Sequence, residues 1–209
     1  MDRVGGIRMA TLYALKPAFQ EALRPLVVRL ARIGVTANQI TVLAALLSVA
    51  TGALVAAFPT ASAVFLLMPL VLFVRMALNA VDGMLAREHG QGSRLGMYLN
   101  ELCDVVSDLA LILPFAVVPG FPAWGVIAFA IVAILTEYAG VLGTSAGVGR
   151  DYSGPFGKSD RALALGVIAV LVAMGLLPGA ISAFIFPILA ILSIVTVVNR
   201  VRAGLGLHS

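Results

Sequence analysis

No position from 33 to 74 carries a charge, and the same is true from 162 to 199. One bilayer crossing takes roughly 20 apolar residues, so each run is long enough for two. Turn signals fall where a second crossing needs them: Phe58-Pro59-Thr60-Ala61-Ser62 in the first run and Pro178-Gly179 in the second. A third lies around Pro119 to Pro122. The pattern predicts six apolar helices, near 40–58, 63–84, 95–118, 123–144, 160–177 and 180–200. Ahead of them, Leu12, Leu15, Phe19, Leu23, Leu26, Leu30 and Ile33 recur at steps of three or four, with Lys16, Gln20 and Arg24 elsewhere. That is the period of one helix face, suited to a membrane surface, although Pro17 and Pro25 predict a break into two short pieces. Lys16, Glu21, Arg24 and Arg29 also interrupt any apolar core of a cleavable signal. The expected fold is all-α and polytopic: an amphipathic interfacial segment over 1–35, then a six-helix transmembrane domain over 36–209.

Charge placement orients this bundle. Arg3, Arg8, Lys16, Arg24, Arg29 and Arg32 precede the first span, and Arg87 and Arg94 join the second and third. Arg150, Lys158 and Arg161 join the fourth and fifth, and Arg200 and Arg202 follow the sixth, while the turns near 60, 120 and 179 hold no basic residue. Short loops that retain Lys and Arg stay in the cytoplasm, so both termini and the two longer loops are expected there. A bacterial inner membrane with a cytoplasmic active site fits this pattern. Only 11% of the 209 residues are charged, against 61% hydrophobic, where soluble domains carry about a quarter charged. The net charge of +4 and pI near 9.7 come from residues beside spans, so they indicate topology and anionic headgroups, with no nucleic-acid partner. Cys103 has no second cysteine to pair with, and His89 and His208 lack a further ligand at metal-binding spacing.

Five acids lie within or at the ends of these spans: Asp82, Glu101, Asp104, Asp108 and Glu137. An acid at mid-membrane costs about 2.5 to 3.5 kcal/mol, so each needs a partner or a task. Glu137 fits polar contact between helices, with Arg75 as one partner. The others form a pattern. Asn79 and Asp82 share a face of the second span, extended by Arg75 and Ala86, while Gly96, Asn100, Asp104 and Asp108 step by four along the third. A short loop, about 88–94, makes these helices antiparallel neighbours with facing stripes. Convergent oxygen ligands are what a hard divalent cation such as Mg²⁺ takes.

The run Asp82-Gly83-Met84-Leu85-Ala86-Arg87, followed after eight residues by Gly96 and then by Asn100 and Asp104 at steps of four, resembles the signature of the CDP-alcohol phosphatidyltransferase family. Val35-Thr36-Ala37-Asn38-Gln39-Ile40-Thr41 resembles the start of that family's first membrane helix. The resemblance implies a membrane transferase of phospholipid biosynthesis. Its two metal ions, Mg²⁺ or Mn²⁺, hold the pyrophosphate of a CDP-alcohol such as CDP-diacylglycerol, a carboxylate activates an acceptor hydroxyl, and CMP leaves. It implies Asp82 as a metal ligand, Asp104 near the metals and as general base, and Gly83, Ala86, Arg87 and Gly96 around the cytidine and phosphates. A homodimer is implied as well.

Two positions depart from the pattern, since Asn79 and Asn100 stand where the family carries aspartates. An amide oxygen still ligates but attracts Mg²⁺ less, so one ion, or weaker binding, is an alternative to two. Asp108 or Glu101 would restore a carboxylate if turned inward. Lys158 and Arg161, in a loop that opens the fifth span, are candidates for an acceptor phosphate at a helix amino terminus, against a purely topological role. The acceptor is expected to be a small alcohol or a sugar phosphate. A catalytically silent nucleotide-lipid binder and a transporter with acids along an ion path are the rival readings.

Overall fold

A computed structural model describes residues 16–151 and 154–207. Leu12 and Leu15 of the expected amphipathic face and His208 lie outside the described residues. Among the described residues seven α-helices run in chain order: α1 (Lys16–Arg32), α2 (Ala37–Ala57), α3 (Ser62–Glu88), α4 (Arg94–Ile112), α5 (Ala123–Ser145), α6 (Lys158–Ala173) and α7 (Gly179–Gly204). No strand occurs among the described residues. Helices α2, α3, α5 and α7 are long and apolar enough to cross a membrane.

The remaining two predicted spans are shorter as α-helices than the apolar pattern indicated. Pro114 supplies no amide hydrogen and its ring crowds the preceding turn, so α4 stops at Ile112 and continues as a 3-10 helix, Leu113–Val117. Helix α6 ends at Ala173 because Gly175 adopts φ +66°. From there the Gly175 amide bonds the Val172 carbonyl and the Leu176 amide bonds that of Leu171, a glycine stop that satisfies the last carbonyls.

Helix α1 is one helix instead of the two pieces expected from its prolines. Pro17 sits in the first turn, where amide hydrogens have no helical partner to lose, and Pro25 is exposed, so the carbonyl it frees can be solvated. The buried face is Val27, flanked by Leu23, Leu30 and Ala31, packed on Val81, Met84 and Leu85 of α3. Leu26 and Ile33, placed on the apolar face from sequence, are exposed. Phe19 meets the Phe73 ring edge-on at 5.9 Å, and Arg24 bonds both Glu21 and Glu88 of α3. The Arg24 guanidinium thereby holds the Glu21 carboxyl below its ordinary range.

Thr36 and Gln39 form a reciprocal cap at the start of α2, which satisfies two otherwise unpaired amide hydrogens. Gln91, in the α3–α4 loop, accepts from the Ala37 amide at 2.7 Å and donates to the Val35 carbonyl at 3.2 Å. The start of α2 is thus tied to the loop between the two polar stripes. Along its length α2 packs against both α3 and α4, α3 packs against α6, and α5 packs against α7.

An aromatic core of Phe65, Phe115, Phe121, Phe129 and Phe186 fills the end near the basic-free turns. Its rings meet at 5.1 to 6.0 Å, the spacing of favourable edge and tilted contacts. The polar stripes occupy the other end. Gly52 sets the α2–α4 approach, because a β-carbon there would collide with the Ala110 carbonyl oxygen. Gly52→Val is expected to cost about 1–3 kcal/mol through forced separation of the helices, read as a fall in the thermal unfolding midpoint in detergent.

Candidate active site

Local structure at the start of α2 prepares the site. Thr41, one turn beyond Ala37, lies with its hydroxyl 3.1 Å from the Ala37 carbonyl and 2.7 Å from Oδ2 of Asp82 on α3. Asp82 is buried, and it makes no ion pair among the described residues. A buried carboxylate is costly unless paired or ligated to a metal. Asn38 reaches from α2 to α4, where a β-carbon on Gly96 would stand 2.8 Å from its side-chain oxygen. On α3, Arg87 folds back over its own helix, and a β-carbon on Gly83 would come within 3.0 Å of its guanidinium. Asn79 and Ala86 are half-buried on the same helix, and Asn100 is half-buried on α4.

The two polar stripes meet differently from the sequence expectation. Helices α3 and α4 are not a packed pair; α2 packs on both, and the stripes face across a gap. Arg75 spans it, with Nη2 2.8 Å from Oδ1 of Asp108, 3.7 Å from Oδ1 of Asp104 and 3.4 Å from the Asp104 carbonyl. Its Nε is buried without a hydrogen-bond partner among the described residues. Arg75 therefore pairs with acids of α4, not with Glu137 as the sequence suggested.

Behind this gap lies a buried ion-pair network. Arg161 of α6 is 1% exposed, with Nη2 2.8 Å from Oδ2 of Asp108 and 2.6 Å from Oε1 of Glu137. Its Nη1 donates to the Thr136 hydroxyl at 2.8 Å. Arg150 pairs with Glu137 at 3.2 Å and with Glu101, and Arg200 of α7 donates to the Thr136 carbonyl. Both oxygens of Asp108 are thus held by guanidiniums, and Glu101 faces Arg150. Arg161, expected at an acceptor phosphate, is enclosed by carboxylates. Sequence spacing assigns a residue to a helix face, but which neighbouring helix brings a cation to that face depends on packing.

Lys158, the first residue of α6, does reach the stripe, with Nζ 2.5 Å from Oδ1 of Asp104. The loop before it is seated on α7 by the Phe156 amide bonding Thr196 at 3.0 Å, and the Gly157 amide bonds Asp160 at 2.9 Å. The site therefore brings together Asp82, Asp104 and Lys158, near enough for their charges to interact. Thr41, Arg75, Arg150 and Thr136 escaped the sequence reading as site residues. Thr41 lay in a segment singled out for its motif, but nothing in the spacing pointed its hydroxyl at Asp82.

Oxygen donors from Asp82, Asp104, Asn79 and Asn100 suit a hard divalent cation, and the buried, ion-pair-free carboxylate of Asp82 supplies the observation that such an ion fits. The set is sparse: among the described residues no three His, Cys, Asp or Glu side chains converge as a metal cluster.

The family profile for CDP-alcohol phosphatidyltransferases matches residues 34–200. The inner membrane protein YnbA of Escherichia coli is 48% identical over 93% of this chain and 96% of its own length. The archaetidylinositol phosphate synthase of Pyrococcus horikoshii is 27% identical over 91% of this chain and 94% of its own. Among solved structures, the phosphatidylinositol phosphate synthase of Mycobacterium tuberculosis with CDP-DAG bound superposes with TM-score 0.71 at 22% identity, over 86% of this chain and 92% of that one. The same enzyme in complex with manganese and citrate superposes equally well, at 21% identity over 87% and 88%.

Proposed function

The chain belongs to the CDP-alcohol phosphatidyltransferase family, and on that premise we propose that it transfers a phospho-alcohol group, phosphatidyl from CDP-diacylglycerol, to the hydroxyl of a small alcohol or sugar phosphate. The observation that carries this reading is the buried carboxylate of Asp82, held by Thr41 beside Asp104 and forming no ion pair among the described residues. Inositol phosphate heads the acceptors, on the name of the archaeal relative. Further support comes from the manganese and CDP-DAG in the mycobacterial structures.

In this reading Asp82 and Asp104, with the amide oxygens of Asn79 and Asn100, hold Mg²⁺ or Mn²⁺. When bound, the ion draws charge from the donor pyrophosphate and eases departure of CMP. Asp104 takes the proton of the acceptor hydroxyl as the new oxygen–phosphorus bond forms and the bond to CMP breaks. Gly83, Ala86 and Gly96 leave room for the cytidine, and Arg87 grips a phosphate through paired hydrogen bonds. Lys158 meets the acceptor phosphate, while Arg161 and Asp108, expected from sequence at the phosphate and the metal, act from behind by fixing α6 and Arg75. All six predicted spans cross the membrane in this reading, α4 and α6 included, with α1 on the cytoplasmic surface as part of a separate 1–35 segment. Both termini and the site face the cytoplasm of a bacterial cell, and the protein works as a homodimer.

Purified protein supplied with CDP-diacylglycerol, Mg²⁺ and a panel of acceptors is expected to release CMP only when donor, ion and acceptor are all present. Donor binding without release would support the silent relative, and indifference to donor and acceptor would support the transporter. Thr41→Val removes the hydrogen-bond donor that orients Asp82. It is expected to lower Mn²⁺ affinity about 10- to 100-fold, measured by paramagnetic titration, with helix content unchanged.

A further inference from the structure

The charges around the site are unequal in a way that the proposed reaction does not by itself require. Arg75, Arg150 and Arg161 face Asp108, Glu101 and Glu137, and Arg200 is buried beside them at the Thr136 carbonyl, so the guanidiniums are at least as many as the carboxylates they meet. That network offers no spare negative charge to a neighbouring ion. In front of it stand two carboxylates, Asp82 and Asp104, and one helical turn from them along α3 and α4 the chain carries two neutral amides, the half-buried Asn79 and Asn100. Asp104 is already engaged, with Lys158 at 2.5 Å and Arg75 at 3.7 Å from the same oxygen.

Lys158 is not a loose surface lysine. Its side chain is 29% exposed, and the backbone that carries it is held by the Phe156–Thr196 and Gly157–Asp160 bonds. The seated backbone thus presents the ammonium to Asp104.

We infer that the site binds a single divalent cation and that the Lys158 ammonium is its second positive charge, resident in the protein. This rests on the transferase reading above and concerns how that site is charged. One divalent ion and Lys158 set three positive charges against two carboxylates. A second ion would set five against the same two, in surroundings where charge is poorly screened. Neutral amides at 79 and 100 suit this arrangement, because more carboxylates would favour a second ion or a tighter Lys158 pair. The lysine shares Asp104 with the ion, so the ion is held less tightly than the carboxylates alone would hold it.

The test counts Mn²⁺ by electron paramagnetic resonance on the purified full chain in nanodiscs of zwitterionic lipid. One Mn²⁺ per chain is expected for the wild type. Lys158→Met is expected to bind it at least about tenfold more tightly, since a repelling charge is removed. Lys158→Met with Asn100→Asp is expected to bind two ions, seen as mutual broadening of their signals. Tighter binding separates this role from a structural one, because loss of a merely structural ion pair would loosen the site. Lys158→Gln serves as a second variant, with the size-exclusion profile confirming a folded protein. Two ions in the wild type with CMP release intact would overturn the inference and leave the transferase reading standing. Unchanged or weaker binding in both Lys158 variants would overturn it as well. No bound ion together with no CMP release would bring down the transferase reading and the inference with it.

Discussion

Asp82→Asn is expected to lower metal-dependent CMP release by about a thousandfold or more, equivalent to roughly 4 kcal/mol in the barrier, while leaving the protein as stable as before or more so. The two halves of this expectation come from the same geometry. Asparagine is the same size as aspartate and keeps an oxygen to accept from Thr41, so the bond now 2.7 Å long between α2 and α3 survives. What disappears is a buried charge that forms no ion pair among the described residues, and its removal favours folding. The same charge is half of the carboxylate available to a divalent ion, because Asn79 and Asn100 contribute none. Thermal unfolding in detergent, Mn²⁺ titration and CMP release measured on one preparation separate the effects. A variant that releases CMP at the wild-type rate would remove Asp82 from the site.

Arg161→Met is expected to be the most destabilising single change in the bundle, costing about 3–5 kcal/mol. Arg161 is 1% exposed and holds Asp108, Glu137 and Thr136 at once. Methionine fills most of the volume but takes from Asp108 and Glu137 the guanidinium they share, leaving each with desolvated oxygens short of one partner. Arg161→Lys is expected to recover only part of the loss, since an ammonium does not reproduce the planar fork that reaches Asp108 and Glu137 together. Adding Asp108→Asn to Arg161→Met removes one orphaned charge and is expected to restore part of the stability, so the two losses are non-additive. The readout is the thermal midpoint of each protein in one detergent. Equal midpoints for wild type and Arg161→Met would mean that the network contributes nothing to the fold.

The acids illustrate how far spacing reaches. Steps of three and four placed Asn79 with Asp82, and Asn100 with Asp104 and Asp108, on single helix faces, and the helices formed where the apolar runs indicated. The same arithmetic treated Asp104 and Asp108 alike, although one meets Lys158 and the other is enclosed by Arg75 and Arg161. One turn of α4 separates them, enough to change which helix stands opposite. Proline and glycine effects were legible in kind but not in extent: Pro114 ended α4, whereas the exposed Pro25 left α1 intact.

The sequence by itself determined the all-helical architecture, the turns, the family signature and the presence of acids too costly to be idle in a membrane. These follow from hydropathy, helix period and fixed spacing, which are local properties of the chain. Only the tertiary structure decided that α2 packs on both α3 and α4, that Thr41 holds Asp82, that Arg161 is buried among acids and that Lys158 faces Asp104. The last three depend on contacts 24 to 54 residues apart in sequence, and a charge gains its partner from the helix packed against it, which no periodicity along the chain records.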